Sequence, residues 1–101
     1  MTDYAVVWPR SPRTAEPVAL AARPTTLDGR RIAFLWDYMF RGEEIFPIIE
    51  RELRNRIPGV SFVSYDEFGT THGAGEHEVL ERLGSRLAGL GVDAVVSGMG
   101  C

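Results

Sequence analysis

The feature that most constrains the fold of this chain is an unbroken apolar run, Ile32 to Trp36. Its residues do not alternate with polar ones, as they would in a strand that has one face in water. Such a strand is typical of a parallel sheet that is covered on both faces by helices. The run therefore predicts a buried strand, Arg31 to Trp36, within an α/β fold.

Two helices and two more strands are predicted after this strand. The first helix begins near Glu43 and ends at Pro58-Gly59, and the second runs from about Glu76 to Leu90. Val60 to Tyr65 and Asp93 to Ser97 are predicted strands. With right-handed crossovers, this β-α-β-α-β order is half of a doubly wound, mainly parallel sheet, with the first strand in the middle. Helical spacing directs the following side chains to the core: Ile45, Ile48, Ile49, Leu53, Ile57, Val79, Leu80, Leu83, Leu87 and Leu90.

The chain divides into an arm and an α/β domain. Residues 1–29 contain four prolines, which remove backbone donors and favour extended chain, so this part is predicted to be a surface arm. Within it, the apolar run Tyr4 to Trp8 could add an edge strand. Residues 30–101 are the predicted domain, whose third strand, with Val95 and Val96, has an open edge. A continuation of the chain or a partner is therefore expected to cover that edge.

Composition excludes several classes of function. The net charge of −3 gives no basic face for nucleic acid or an anionic membrane. All basic residues are arginine, so a lysine Schiff base and a P-loop lysine are excluded within these residues. One cysteine cannot form an internal disulfide. Neither a signal peptide nor a membrane-spanning run is visible, so we expect a cytoplasmic protein.

Candidate site residues follow the strands, because ligands of open α/β sheets bind beyond the carboxyl ends of the strands. Asp37 directly follows the first strand, where a carboxylate can orient a substrate or move a proton. The alternative for Asp37 is a turn residue that accepts hydrogen bonds from nearby backbone N–H groups. The candidate substrate-binding residues at the same edge are Tyr38, Asp66, His72, Gly98 and Gly100.

The two histidines do not predict a metal site. His72 and His77 are five residues apart across a loop–helix junction, which is a weak zinc signal in a chain with one cysteine. A solvated loop histidine is the favoured interpretation of His72. The sequence indicates no metal and no cofactor.

Cys101 is the second candidate catalytic residue. It follows a glycine-rich turn after the third strand, where a thiol would be exposed and directed at the start of a following helix. That environment lowers the pKa of a thiol and makes it a nucleophile. The alternative is an incidental terminal residue, whose own carboxylate would raise the thiol pKa.

From Leu27 onward, about three quarters of the chain, the sequence resembles the family named for its UGSC motif, which is selenocysteine (or cysteine)-Gly-Ser-Cys. The resemblance lies in "LDGRRIAFL", in "WDYMFRGEEIFPIIERELRNRIPGVSFVSYDEFG" and in "DAVVSGMGC". It includes the glycine turn that leads into the motif but not the motif itself. The family's motif is in turn similar to the selenocysteine loop of selenoprotein B of glycine reductase.

The resemblance implies thiol or selenol redox chemistry, as in a selenocysteine- or cysteine-dependent oxidoreductase or reductase. In the family the redox residue directly follows the position of Cys101, which would then be an auxiliary or resolving thiol. Selenocysteine is encoded by UGA, and translation of UGA as a stop would end the chain at this point. We therefore expect an N-terminal fragment that is inactive as given, acting when complete on a small-molecule substrate or a thiol redox partner.

A second hypothesis belongs to a different class of function. The chain is then a complete small α/β subunit that binds a ligand or partner chain without chemistry of its own. Its third strand would pair across an interface, either with another copy or with a different chain.

Overall fold

The computed structural model describes residues 3–12 and 14–100, and it has the predicted α/β architecture. Its elements in chain order are β1 (Arg31–Trp36), α1 (Gly42–Arg56), β2 (Ser61–Val63), a 3₁₀ turn (Tyr65–Glu67), α2 (Glu76–Gly89) and β3 (Ala94–Gly98). The strands form one parallel sheet in the order β2-β1-β3, so the predicted central position of β1 is confirmed. β2 is shorter than predicted, because the chain turns into the 3₁₀ segment after Val63.

β1 is buried on both faces because each helix packs on a different side of it. Phe34 and Trp36 form one core cluster with Phe46 of α1. Ala33 and Leu35, which alternate with them, form the other cluster on the α2 side. An apolar run without alternation is therefore explained by a strand between two helical layers.

The apolar stripe predicted for α1 is only partly correct. Phe46 is the buried centre of the helix at 3% exposure, whereas Ile45 and Ile48 are 42% and 49% exposed. The helix begins at Gly42, where a side chain would collide with the Trp36 ring, so α1 approaches β1 closely at this end. Because of this close approach, the Phe46 ring packs with Phe34 and Trp36. Ile45 and Ile48 lie at the edge of the contact between α1 and β1.

α2 covers the opposite face of β1 but leaves part of β3 uncovered. Leu83, Leu87 and Leu90 pack on the core as predicted, whereas Leu80 is 51% exposed. Val95 of β3 is 40% exposed. The outer edge of β3 pairs with no other strand among the described residues.

The described residues before Arg31 form no helix or strand, so the apolar run Tyr4 to Trp8 does not add an edge strand there. Large apolar side chains of this arm are at least 75% exposed, namely Tyr4, Val6, Val7, Trp8, Val18 and Leu20. No helix in the part of the chain that the structure describes is long and apolar enough to cross a bilayer.

Candidate functional site

Three chain segments meet at the carboxyl end of β1. The N–H of Asp37 donates to the carbonyl of Gly98 at 3.3 Å, which extends the pairing of β1 with β3 by one step. On the other side, the N–H of Thr71 donates to the Trp36 carbonyl at 3.2 Å, and Thr70 forms a parallel bridge with Trp36. Asp37 thus lies between the loop after the 3₁₀ turn and the turn after β3.

The Asp37 side chain connects two of these segments. It is 2% exposed; Oδ1 accepts a hydrogen bond from the Met39 N–H at 3.0 Å, and Oδ2 accepts one from the Gly100 N–H at 2.7 Å. A buried carboxylate is stable when its oxygens accept hydrogen bonds of this kind. Asp37 therefore accepts the backbone hydrogen bonds expected of a turn residue, and its catalytic role stays a prediction.

Glycines allow the turn after β3 to lie against the β1–α1 loop. A Cβ at Gly98 would lie 2.7 Å from Cζ of Phe40 and 2.8 Å from Cζ of Phe46. A Cβ at Gly100 would lie 3.0 Å from the Phe40 ring and 3.2 Å from Cβ of Met39. Only glycine permits this approach without displacement of the aromatic rings.

Thr70 organises the loop that contains His72. Its hydroxyl donates to the His72 carbonyl at 2.7 Å and accepts the His72 N–H at 3.1 Å. His77 is elsewhere, on α2, where its Nε2 lies 3.1 Å from Glu81. Among the described residues, no group of three His, Cys, Asp or Glu side chains is arranged to hold a metal ion.

Tyr38 has a backbone conformation that is rare for an aromatic residue, with φ at +61°. Its ring stacks on Trp36 with centroids 4.2 Å apart, and the ring of Tyr65 meets it edge-on at 5.7 Å. Partial burial raises the pKa of the Tyr38 phenol above its ordinary value, and the charges of Tyr65 and Asp66 act in the same direction. Partial burial and these charges therefore oppose ionisation of the phenol at high pH.

An open cavity of about 540 Å³ lies at this edge of the sheet. Its lining residues are Asp37, Tyr38, Met39, Thr70, His72, Gly73 and Ala74. The structure thus brings together three of the candidates from sequence, Asp37, Tyr38 and His72.

The remaining candidates do not line the cavity. Asp66 lies exposed in the 3₁₀ turn and acts on Tyr38 through its charge. Gly98 and Gly100 lie against the Phe40 ring in the turn after β3, and Cys101 lies outside the described residues. Thr70 was missed by the sequence analysis, although its place in a polar loop after β2 was a usable signal.

Comparison with known proteins places this chain in a family. No curated protein and no solved structure matches the chain. The model of the UGSC family matches residues 5–101, which takes in the arm as well as the sheet and both helices. The chain therefore belongs to the UGSC family.

Proposed function

We propose that this chain is the N-terminal part of a thiol- or selenol-dependent redox protein, whose reactive group follows Cys101 at the carboxyl edge of the sheet. The observation that carries the proposal is the hydrogen bond from the Gly100 N–H to the buried Asp37 carboxylate. It holds the residue before Cys101 against a side chain that lines the cavity. A reactive group on the residues after Cys101 would therefore lie near the carboxyl edge of the sheet.

The open side of β3 supports a continuation of the sheet. Val95 is 40% exposed on the face that carries α2, because α2 packs mainly on β1. A further right-handed β-α-β unit beyond β3 would put its helix on that same face. Such a unit would cover Val95 and pair the open edge of β3.

The chemistry that fits this edge is exchange with a disulfide or a similar oxidised substrate. A thiol–selenol pair gives two electrons and two protons to a disulfide, which is released as two thiols, while the pair closes to a selenenyl sulfide. Cys101 is the resolving thiol in this scheme. The charge of Asp37 disfavours a neighbouring thiolate, so Asp37 suits turn stabilisation and proton transfer rather than activation of the thiol.

The test uses the complete chain, obtained by reading the coding DNA beyond the Cys101 codon with the UGA codon replaced by one for cysteine. We expect this protein, once reduced, to convert one equivalent of a small-molecule disulfide to two thiols while its own cysteine pair closes to a disulfide, and we expect the 101-residue chain to be inactive. Cys101→Ser should slow this reduction, whereas Asp3→Ser in the exposed arm should not. Full activity of Cys101→Ser, or no activity of the complete folded chain, would contradict the proposal.

The exposed apolar arm favours a second candidate function, the binding of a partner chain. Four adjacent or nearly adjacent side chains, those of Tyr4, Val6, Val7 and Trp8, are each at least 75% exposed. Apolar surface of this kind marks interaction sites. Size-exclusion chromatography of the 101-residue chain should then show a concentration-dependent assembly that Val6→Ser, Val7→Ser or Trp8→Ser weakens.

A further inference from the structure

We propose that the cavity beside Tyr38 binds a small organic cation, an amine or a quaternary ammonium group. The cavity is the one lined by Asp37, Tyr38 and His72. This inference rests on the proposed function in one respect: the cation is taken to be the substrate of the redox residues, or a part of that substrate. The binding itself is a property of the described residues.

The Tyr38 ring offers an open aromatic face. One face is covered by Trp36, since the two rings stack with an interplanar angle of 24°. Tyr65 approaches at 85°, so it meets the ring by an edge rather than by a face. Tyr38 is still 45% exposed and lines the cavity, so we infer that a ligand would reach the ring on the face away from Trp36. An open face of an electron-rich ring attracts a cation.

The backbone holds this ring in place at a conformational cost. A bulky residue with φ at +61° is strained, and such strain persists only where the surroundings fix the backbone. The hydrogen bond from the Met39 N–H to Oδ1 of Asp37 spans Tyr38 and closes the turn around it. The buried carboxylate therefore fixes the presentation of the ring.

The charges around the cavity favour a cation over an anion. Among the described residues no arginine lines it; its lining includes His72 and Asp37, whose carboxylate is buried and accepts two backbone hydrogen bonds. Asp66 is close enough to raise the pKa of the Tyr38 phenol, so a second negative charge acts at the ring. The nearby Arg41 pairs with Glu44 at 3.7 Å on the exposed start of α1. The negative charge of Asp66 acting at the ring therefore favours a cation over an anion.

The test is a fluorescence titration of the chain carrying Trp8→Phe, in which Trp36 is the remaining tryptophan. Choline is the probe, and its neutral carbon analogue, with tert-butyl in place of trimethylammonium, is the matched control. A ligand on the open face of Tyr38 changes the emission of the stacked Trp36. We expect saturable binding of choline, tighter than that of the analogue by about three- to thirtyfold.

Substitutions in the same background locate the site. Tyr38→Leu should abolish the preference for choline, Tyr38→Phe should retain it, and Asp66→Asn should weaken choline binding by about two- to fivefold. Tyr4→Leu, in the exposed arm, is the control and should change nothing. Thermal melts establish that each variant is folded.

Equal binding of choline and the neutral analogue would overturn the proposal, as would absence of choline binding or a preference that survives Tyr38→Leu. The failure of the redox proposal gives a different result. In that case choline would still bind the 101-residue chain, while the complete chain would lack disulfide-reducing activity. The two proposals can therefore fail separately.

Discussion

The Oδ2 atom of Asp37 accepts a hydrogen bond from the N–H of Gly100 at 2.7 Å, although the two residues are 63 positions apart. The bond joins the loop after the central strand to the turn after the edge strand. Both partners lie at the carboxyl edge of the sheet, where the cavity opens. Folding thus brings the end of the described chain to the candidate site.

Loss of the carboxylate should lower the stability of this edge. In Asp37→Asn, an amide nitrogen replaces one of the two acceptor oxygens and faces an N–H group of Met39 or Gly100. We expect the free energy of unfolding to fall by about 1–3 kcal/mol in urea denaturation. Asp3→Asn, in the exposed arm, should stay within about 0.5 kcal/mol of wild type. Equal stability of the two variants would show that the Asp37 hydrogen bonds contribute nothing.

Two glycine-to-alanine changes should have opposite effects on stability. Gly98→Ala puts a methyl group 2.7 Å from the Phe40 ring and should destabilise the protein by about 1–3 kcal/mol. At Gly84, inside α2, a Cβ meets no atom within 4 Å, so alanine should stabilise the helix by about 0.5–1 kcal/mol. Thermal melts of both variants measure the difference. A stabilised Gly98→Ala variant would mean that the turn does not pack on Phe40.

The buried face of α1 can be tested with two adjacent residues. Phe46→Ala removes a ring that is 3% exposed and should cost about 3–5 kcal/mol, a large part of the stability of a small domain. Ile45→Ala changes a side chain that is 42% exposed and should cost less than about 1 kcal/mol. If Ile45→Ala lowered the free energy of unfolding more than Phe46→Ala in chemical denaturation, the isoleucine stripe would be the core face of α1.

Hydrophobic pattern alone predicted most of this fold. Because β1 is buried on both faces, its sequence carries no alternation, and that signal predicted both the parallel sheet and its central strand. The hydrophobic pattern did not predict which face of α1 packs on the sheet. Isoleucines at helical spacing fit a core stripe, but the contact between Gly42 and Trp36 sets the rotation of the helix, and that contact is tertiary.

The sequence predicted where the candidate site lies but not the contacts that its residues make. Asp37, Tyr38 and His72 follow from the rule that ligands bind at the carboxyl ends of parallel strands. The left-handed backbone of Tyr38 has no local signal, because that conformation normally belongs to glycine or asparagine. It depends on the hydrogen bond between Met39 and Asp37, and the role of Thr70 depends on a bridge to Trp36.

Ionisation of Tyr38 should reduce stability at high pH. Its phenol pKa is raised above the ordinary value of 10.0, first by partial burial and then by the charges of Tyr65 and Asp66. The unfolded chain therefore loses this proton at a lower pH than the folded one, and unfolding is favoured as pH rises above 10.0. The stabilisation is present below pH 10.0 and is lost as pH passes the folded pKa.

The measurement is a spectrophotometric titration of tyrosinate in wild type and in Tyr38→Phe. The difference between the two curves isolates Tyr38, and its midpoint should lie above 10.0. Asp66→Asn should move that midpoint downward, since it removes one of the charges that raise the pKa. A midpoint at or below 10.0 would contradict the partial burial of Tyr38 against Trp36 with Tyr65 beside it.

The coding DNA beyond the Cys101 codon decides whether a redox centre follows this residue at the carboxyl edge of the sheet. We expect a TGA codon immediately after the Cys101 codon, followed in frame by codons for Gly-Ser-Cys and then for a further strand and helix. A TAA or TAG codon at that position, with no coding sequence beyond it, would contradict this expectation and leave the partner-binding hypothesis.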